Sequence, residues 1–219
     1  MNEEISIDKL KFFASVTSNI THEIKNCLAI INESNGLMED MLLMAEQGLF
    51  EPEKFQQLIQ QNFIQLKKAN NVLSYINWLS NSLDRHTEPI ESHTFLENIT
   101  ASVSSITENK KIKLLVSAPR EPVNWEGNLF SLQCLLYLTM QHLVSLCQKG
   151  GTIRLILNQR SPGHIVFRLT CEHLTASEKV HLETQALDFM VKEQGGEIQI
   201  SCPEEDSLAF TLSFPKTIE

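Results

Sequence analysis

The first 85 residues contain only two glycines, Gly36 and Gly48, and one proline, Pro52. Gly48 and Pro52 fall close together, and elsewhere in this stretch nothing forces the chain out of a helix. Two long helices are therefore expected. The first runs from about Ser6 to Gln47, with Ser6 or Asp8 as its cap and Gly48 as its end. Its apolar stripe is Phe13, Val16, Ile20, Ile24, Cys27, Ile31, Met38, Leu42 and Ala45, spaced to stay on one side. The second begins at Pro52, whose missing N–H costs nothing in a first turn. Its stripe, Phe55, Ile59, Asn62, Leu66, Ala69, Leu73, Ile76, Ser80 and Leu83, alternates steps of four and three like a coiled-coil seam. A short loop between long helices makes an antiparallel hairpin. A lone hairpin of roughly 60 Å leaves apolar surface uncovered, so pairing of two hairpins into a four-helix bundle, a homodimer, is expected.

After the linker Arg85–Glu91 the periodicity changes. A helix is expected over Thr94–Thr107, a strand over Lys111–Ser117 and a helix over Leu129–Gln148. Strands follow over Thr152–Asn158 and His164–Thr170, with Gly150-Gly151 and Ser161-Pro162-Gly163 as turns. A helix over Ser177–Gln194, a turn at Gly195-Gly196, and strands over Glu197–Cys202 and Leu208–Phe214 complete the chain. The fold class is α+β: a helical hairpin over 1–86 and a two-layer α/β sandwich over 87–219.

The apolar fraction of 42% supports a real core, and the net charge of −9 argues against nucleic acid or an anionic membrane as partner. Roughly 18 uninterrupted apolar residues are needed to span a membrane, and no such run occurs. Met1-Asn2-Glu3-Glu4 lacks the basic and apolar parts of a signal peptide. The five cysteines, Cys27, Cys134, Cys147, Cys171 and Cys202, form no C-x-x-C and no metal spacing. A cytoplasmic location is expected. His86, His93, His142, His164, His173 and His181 have no spacing that signals a metal site. Trp78 and Trp125 read as packing residues.

His22 stands apart. At about 100° per residue it lies far round the helix from Ile20 and Ile24. Its near neighbours are Ser15, Ser18, Asn19, Lys25, Asn26 and Ala29, a polar face of mostly small side chains. An imidazole on such a face is reachable by another protein and nucleophilic when neutral. Glu23 can accept a proton from one ring nitrogen, and Lys25 offers positive charge to phosphate oxygens.

Thr21-His22-Glu23-Ile24-Lys25-Asn26, followed by Leu28-Ala29-Ile30-Ile31, closely resembles the phosphoacceptor box of two-component histidine kinases. In that family an H-E-x-x-N sequence opens a two-helix dimerisation and phosphotransfer domain. The resemblance implies that His22 carries the phosphoryl group and that Glu23 orients and activates it. Asn26 matches the position that places a water for dephosphorylating the partner. Cys27 stands where the family commonly has proline, which removes a kink.

The C-terminal half resembles the ATPase domain of the same kinases, through Leu135–Ile153, Ala186–Ile198 and Phe210–Pro215. The catalytic residues of that domain are missing. Where the family has an N-x-x-x-N pair that binds Mg²⁺, this chain has Tyr137 and Gln141. The eight glycines form no D-x-G-x-G, and none lies between 164 and 194, where the nucleotide boxes belong. Phosphate cradling needs the close backbone approach that glycine allows. The expectation is a histidine phosphotransfer protein with no cofactor of its own. It relays phosphate between receiver-domain aspartates of response regulators, and the receiver supplies Mg²⁺. Two alternatives remain: a degenerate kinase serving as a phosphatase or binding module through Asn26, and an active sensor kinase.

Overall fold

A computed structural model describes residues 2–45, 48–83, 87–160, 163–174, 184–204 and 206–216. Two helices open the chain, α1 (Asn2–Ala45) and α2 (Pro52–Ser82). Helix α1 begins before both expected caps, Ser6 and Asp8. Gln47 lies outside the described residues. The end of α1 is closed at Gly48, whose φ is +76°. There Gly48 N–H donates to the Ala45 carbonyl (3.0 Å) and Leu49 N–H to that of Met44 (3.1 Å). This paired closure needs a left-handed residue, which glycine adopts without steric cost.

The chain divides into two compact units, Ser15–Trp78 and the remainder, which joins Met1–Ala14 to Leu79–Glu219. In the first unit, α1 buries Val16, Ile20, Cys27, Ser34 and Met41, the last four spaced a heptad apart along the helix. Helix α2 buries Leu58, Val72 and Tyr75. Asn62 Nδ2 donates to Asn35 Oδ1 across the pair at 2.8 Å, which fixes the register of the hairpin. The buried seam differs in phase from the expected stripes. Leu42 on α1 and Ile59, Leu66 and Leu73 on α2 are between 38% and 54% exposed. Each helix carries an apolar arc wider than one neighbour can cover. The hairpin contact takes one flank of that arc, and these leucines and isoleucines occupy the other.

The second unit is a mixed sheet with helices. A two-stranded antiparallel ribbon pairs β1 (Glu88–Glu91) with β3 (Asn124–Gly127). The main sheet has the order β2-β4-β5-β7-β6, from β2 (Lys113–Ser117), β4 (Cys147–Arg160), β5 (His164–Leu174), β6 (Glu197–Ser201) and β7 (Ser207–Pro215). Only β2 runs parallel to its neighbour. Helices α3 (Ser92–Asn109), α4 (Leu129–Leu146) and α5 (Thr184–Lys192) supply the second layer. Of the expected helix from Ser177, the part before Thr184 lies outside the described residues.

Alternation along the strands produces the core. Ile153, Leu155 and Leu157 of β4, Ile165, Phe167, Leu169 and Cys171 of β5, and Phe210, Leu212 and Phe214 of β7 are buried. Trp125 packs edge-on against Phe95 (5.7 Å) and Phe167 (6.1 Å), so it is a packing residue. Two strands escaped the sequence reading. The segment read as a linker contains β1, and β3 lies just before α4. Gly150-Gly151 is not a turn between helix and strand, because β4 starts directly at Cys147. The pair sits in an irregularity of the ladder between Cys147 and Thr152. Helix α3 starts at Ser92 because Glu91 caps it, accepting from the N–H groups of His93 (2.7 Å) and Thr94 (2.9 Å).

Candidate functional site

His22 lies near the middle of α1 with its side chain exposed, and Ser18, Lys25, Asn26 and Ala29 around it are exposed as well. Asn19 is half-buried. The α-helical repeat puts Ser18, Asn19, Lys25 and Asn26 about one turn or less from His22 and Ala29 two turns on, while the buried seam of Ile20 and Cys27 holds the opposite side against the hairpin interior. The polar face read from the sequence is thus a solvent face of the helix. The Ser15 side chain lies outside the described residues.

One close contact defines the chemistry of the ring. Asn26 Nδ2 lies 3.2 Å from His22 Nδ1, one helical turn on. With its NH₂ toward the ring, the amide donates to Nδ1 and the ring proton sits on Nε2. Half a turn of the same amide presents Oδ1 instead, which accepts from Nδ1–H and leaves the Nε2 lone pair free. The two arrangements have nearly the same shape. Asn26 can therefore hold either tautomer, and only the second is nucleophilic at Nε2.

Glu23 is placed differently. Its carboxylate pairs with Lys68 of α2 at 3.0 Å, and its side chain is 13% exposed. The structure brings Asn26 to the ring nitrogen, and Glu23 to the facing helix. This pairing takes Glu23's negative charge away from the open side of His22, where exposed Lys25 remains as the nearest cation in sequence. Lys68 was absent from the sequence reading. Its partnership with Glu23 depends on the hairpin register, which no local spacing reveals. Cys27, one turn beyond Glu23, faces inward, and burial pushes its thiol pKa up.

In the second unit, Tyr137 is buried and Gln141 exposed on α4. Among the described residues no cluster of three His, Cys, Asp or Glu side chains could hold a metal. His93 is engaged with the Glu91 cap at 3.2 Å, and His142 stacks edge-on to Phe210 at 6.2 Å. His86 and His181 lie outside the described residues. Helix α4 is, among the described residues, the only helix long and apolar enough to cross a membrane, and most of it is buried inside its own unit.

No protein-family model matches the chain, and no curated protein sequence matches it. Solved structures do. The catalytic domain of the histidine kinase ThkA aligns over 62% of this chain and 100% of its own, at 13% identity and a TM-score of 0.52. A bacterial phosphotransferase aligns over 93% of this chain and 96% of its own, at 14% identity and a TM-score of 0.51. A histidine kinase from Burkholderia phymatum STM815 aligns over 96% and 98%, at 10% identity and a TM-score of 0.53. The long helical hairpin followed by a mixed sheet that matches histidine-kinase ATPase domains makes this a histidine-kinase-like fold.

Proposed function

We propose that this protein is a histidine phosphotransfer protein that relays a phosphoryl group between response-regulator receiver domains through His22. The observation that carries the reading is an exposed His22, within H-E-x-x-N on a long hairpin helix, with Asn26 at its Nδ1. Nε2 of the neutral ring attacks the phosphorus of a receiver's aspartyl phosphate. The P–O bond to the aspartate breaks, the P–N bond forms, and the aspartate leaves as a carboxylate. Nδ1 keeps its proton through the Asn26 carbonyl, so the positive charge that develops on the ring is partly dispersed into that hydrogen bond. Lys25 faces the phosphoryl oxygens, and Ser18, Asn19 and Ala29 leave room for the receiver surface. Glu23, tied to Lys68, sets the orientation of the helix at this point. Mg²⁺ belongs to the acidic pocket of the receiver, and this chain brings no cofactor. The reducing cytoplasm is where such a relay operates.

The missing glycine boxes and the Tyr137 and Gln141 pair support the ATP-free part of this reading. The uncovered apolar flank of the hairpin supports a homodimer built as a four-helix bundle.

The test is phosphoryl transfer from a labelled, phosphorylated receiver to the purified protein, compared with His22→Gln. Wild type takes the label in an acid-labile, base-stable form and His22→Gln takes none. Relay between two receivers that survives His22→Gln would sink the proposal and favour a role through Asn26. Labelling by ATP alone would favour an active kinase.

A further inference from the structure

A helix laid on a sheet needs only one face buried, yet α4 is buried on nearly every side. Phe130, Gln133, Tyr137 and Gln141 fall within about 80° of one another around α4, at 100° per residue. This is the face on which the family resemblance places the Mg²⁺-binding pair. It is covered by the two ends of the hairpin. The Phe12 ring, 1% exposed, sits edge-on to both Phe130 (5.7 Å) and Tyr137 (5.1 Å). Gln133 Nε2 reaches Ser82 Oγ at 3.5 Å, with both residues buried, and Leu79 nearby in sequence is fully buried. Residues up to Ala14 and from Leu79 onward belong to the same compact unit as the sheet.

We propose that the start of α1, through Phe12, is an internal occupant of the α4 face that a nucleotide-binding relative would keep open. The first turns of α1 thereby become a permanent part of the α/β fold. Three aromatic rings in edge contact, together with a buried amide-to-hydroxyl hydrogen bond, form an apolar seal with no room for a solvated phosphate chain. Gln141, exposed at the rim of the same face, is left without the partner Asn that would share a cation with it. The proposal rests on the resemblance for the identity of the face. For the seal itself it rests on the ring contacts of Phe12 and the buried Gln133–Ser82 hydrogen bond.

The full-length protein and its Phe12→Ala and Phe12→Leu variants are compared by amide hydrogen exchange. Phe12→Ala is expected to raise exchange in the first turns of α4 about tenfold or more, with β4 and β5 changing far less. Phe12→Leu, which keeps apolar volume, gives a smaller rise and covers the case in which the alanine variant does not fold. Exchange in α4 that is unchanged in both variants overturns the seal. A fluorescent ATP analogue is titrated in parallel. Absence of binding to wild type together with loosened α4 in the variants supports the proposal. Binding that appears only on Phe12→Ala supports it further. Binding to wild type that is unaffected by Phe12→Ala overturns the proposal, because the face assigned to Phe12 is then open to nucleotide, and it refutes the ATP-free reading of function as well.

Discussion

At the scale of single residues, the His22 site depends on one amide. Replacing Asn26 with Leu removes the group that holds Nδ1 while keeping a similar branched shape and without lowering helix propensity. On the proposed relay, phosphoryl uptake at His22 should fall by about tenfold to a hundredfold, read as the initial rate from a phosphorylated receiver. Far-ultraviolet circular dichroism should stay unchanged. The position of Asn26 four residues after His22 was legible in the sequence, because i and i+4 meet on any helix. Which atom of which neighbour touches the ring was not, since Glu23 is equally close in sequence and turns to Lys68 instead. Cysteine behaviour follows burial in the same way. Cys27, Cys134, Cys147 and Cys171 are buried and Cys202 is exposed. Burial, then the neighbouring Cys147, push the Cys171 thiol pKa up, which disfavours the reactive thiolate. A thiol-specific chromogenic reagent should titrate Cys202 alone in the native protein and the other four only after unfolding.

At the scale of elements, helix ends carry much of the local energetics. Helix α3 ends at Asn109 with Lys110 as its cap, and the next residue, Lys111, has φ of +56°, while Ile112 N–H donates to the Thr107 carbonyl at 2.9 Å. A left-handed residue with a β-carbon is strained there, so Lys111→Gly should stabilise the protein by about 0.5–1 kcal/mol, measured by urea unfolding. The other end of α3 depends on Glu91. Partial burial opposes its ionisation, but the backbone N–H groups of Thr94 and His93 and the Thr94 hydroxyl outweigh this and hold the carboxyl at about 2. A depressed carboxyl pKa favours the folded state only while the group is ionised. The contribution is therefore complete above the ordinary value of 4.5 and is lost as pH falls toward about 2. Glu91→Gln should cost about 1 kcal/mol at pH 7, and its difference from wild type should shrink across that acid window in denaturation curves. Neither end was visible beforehand. Thr94 is a plausible first residue by composition, and the cap depends on the geometry with which β1 delivers Glu91 to the helix. The four-residue strands β1 and β3 were missed for a related reason. They are too short to show a period, and they are strands only because they pair with each other.

At the scale of the whole molecule, the hairpin carries an apolar arc that its own two helices do not fully cover. Ile59, Leu66 and Leu73 recur at heptad spacing on α2 and remain 38–49% exposed. Replacing Leu66 with Glu places a charge in the middle of this flank. If the flank is the dimer interface, light scattering coupled to size exclusion should show wild type as a dimer and Leu66→Glu as a monomer with intact helicity. A monomeric wild type would refute the bundle. Two long helices ahead of a mixed α/β domain are legible in the residues alone, because glycine, proline and hydrophobic periodicity act locally and are read within a few residues. The polar face that carries His22 is legible there too, since helical phase is set by the same short-range geometry. Which flank of each apolar arc is buried, why Glu23 meets Lys68, and that Phe12 belongs to the α/β unit emerge only in the folded chain. Those outcomes depend on contacts between segments far apart in the chain, whose register and packing are set by the shape of the whole fold and leave no local pattern.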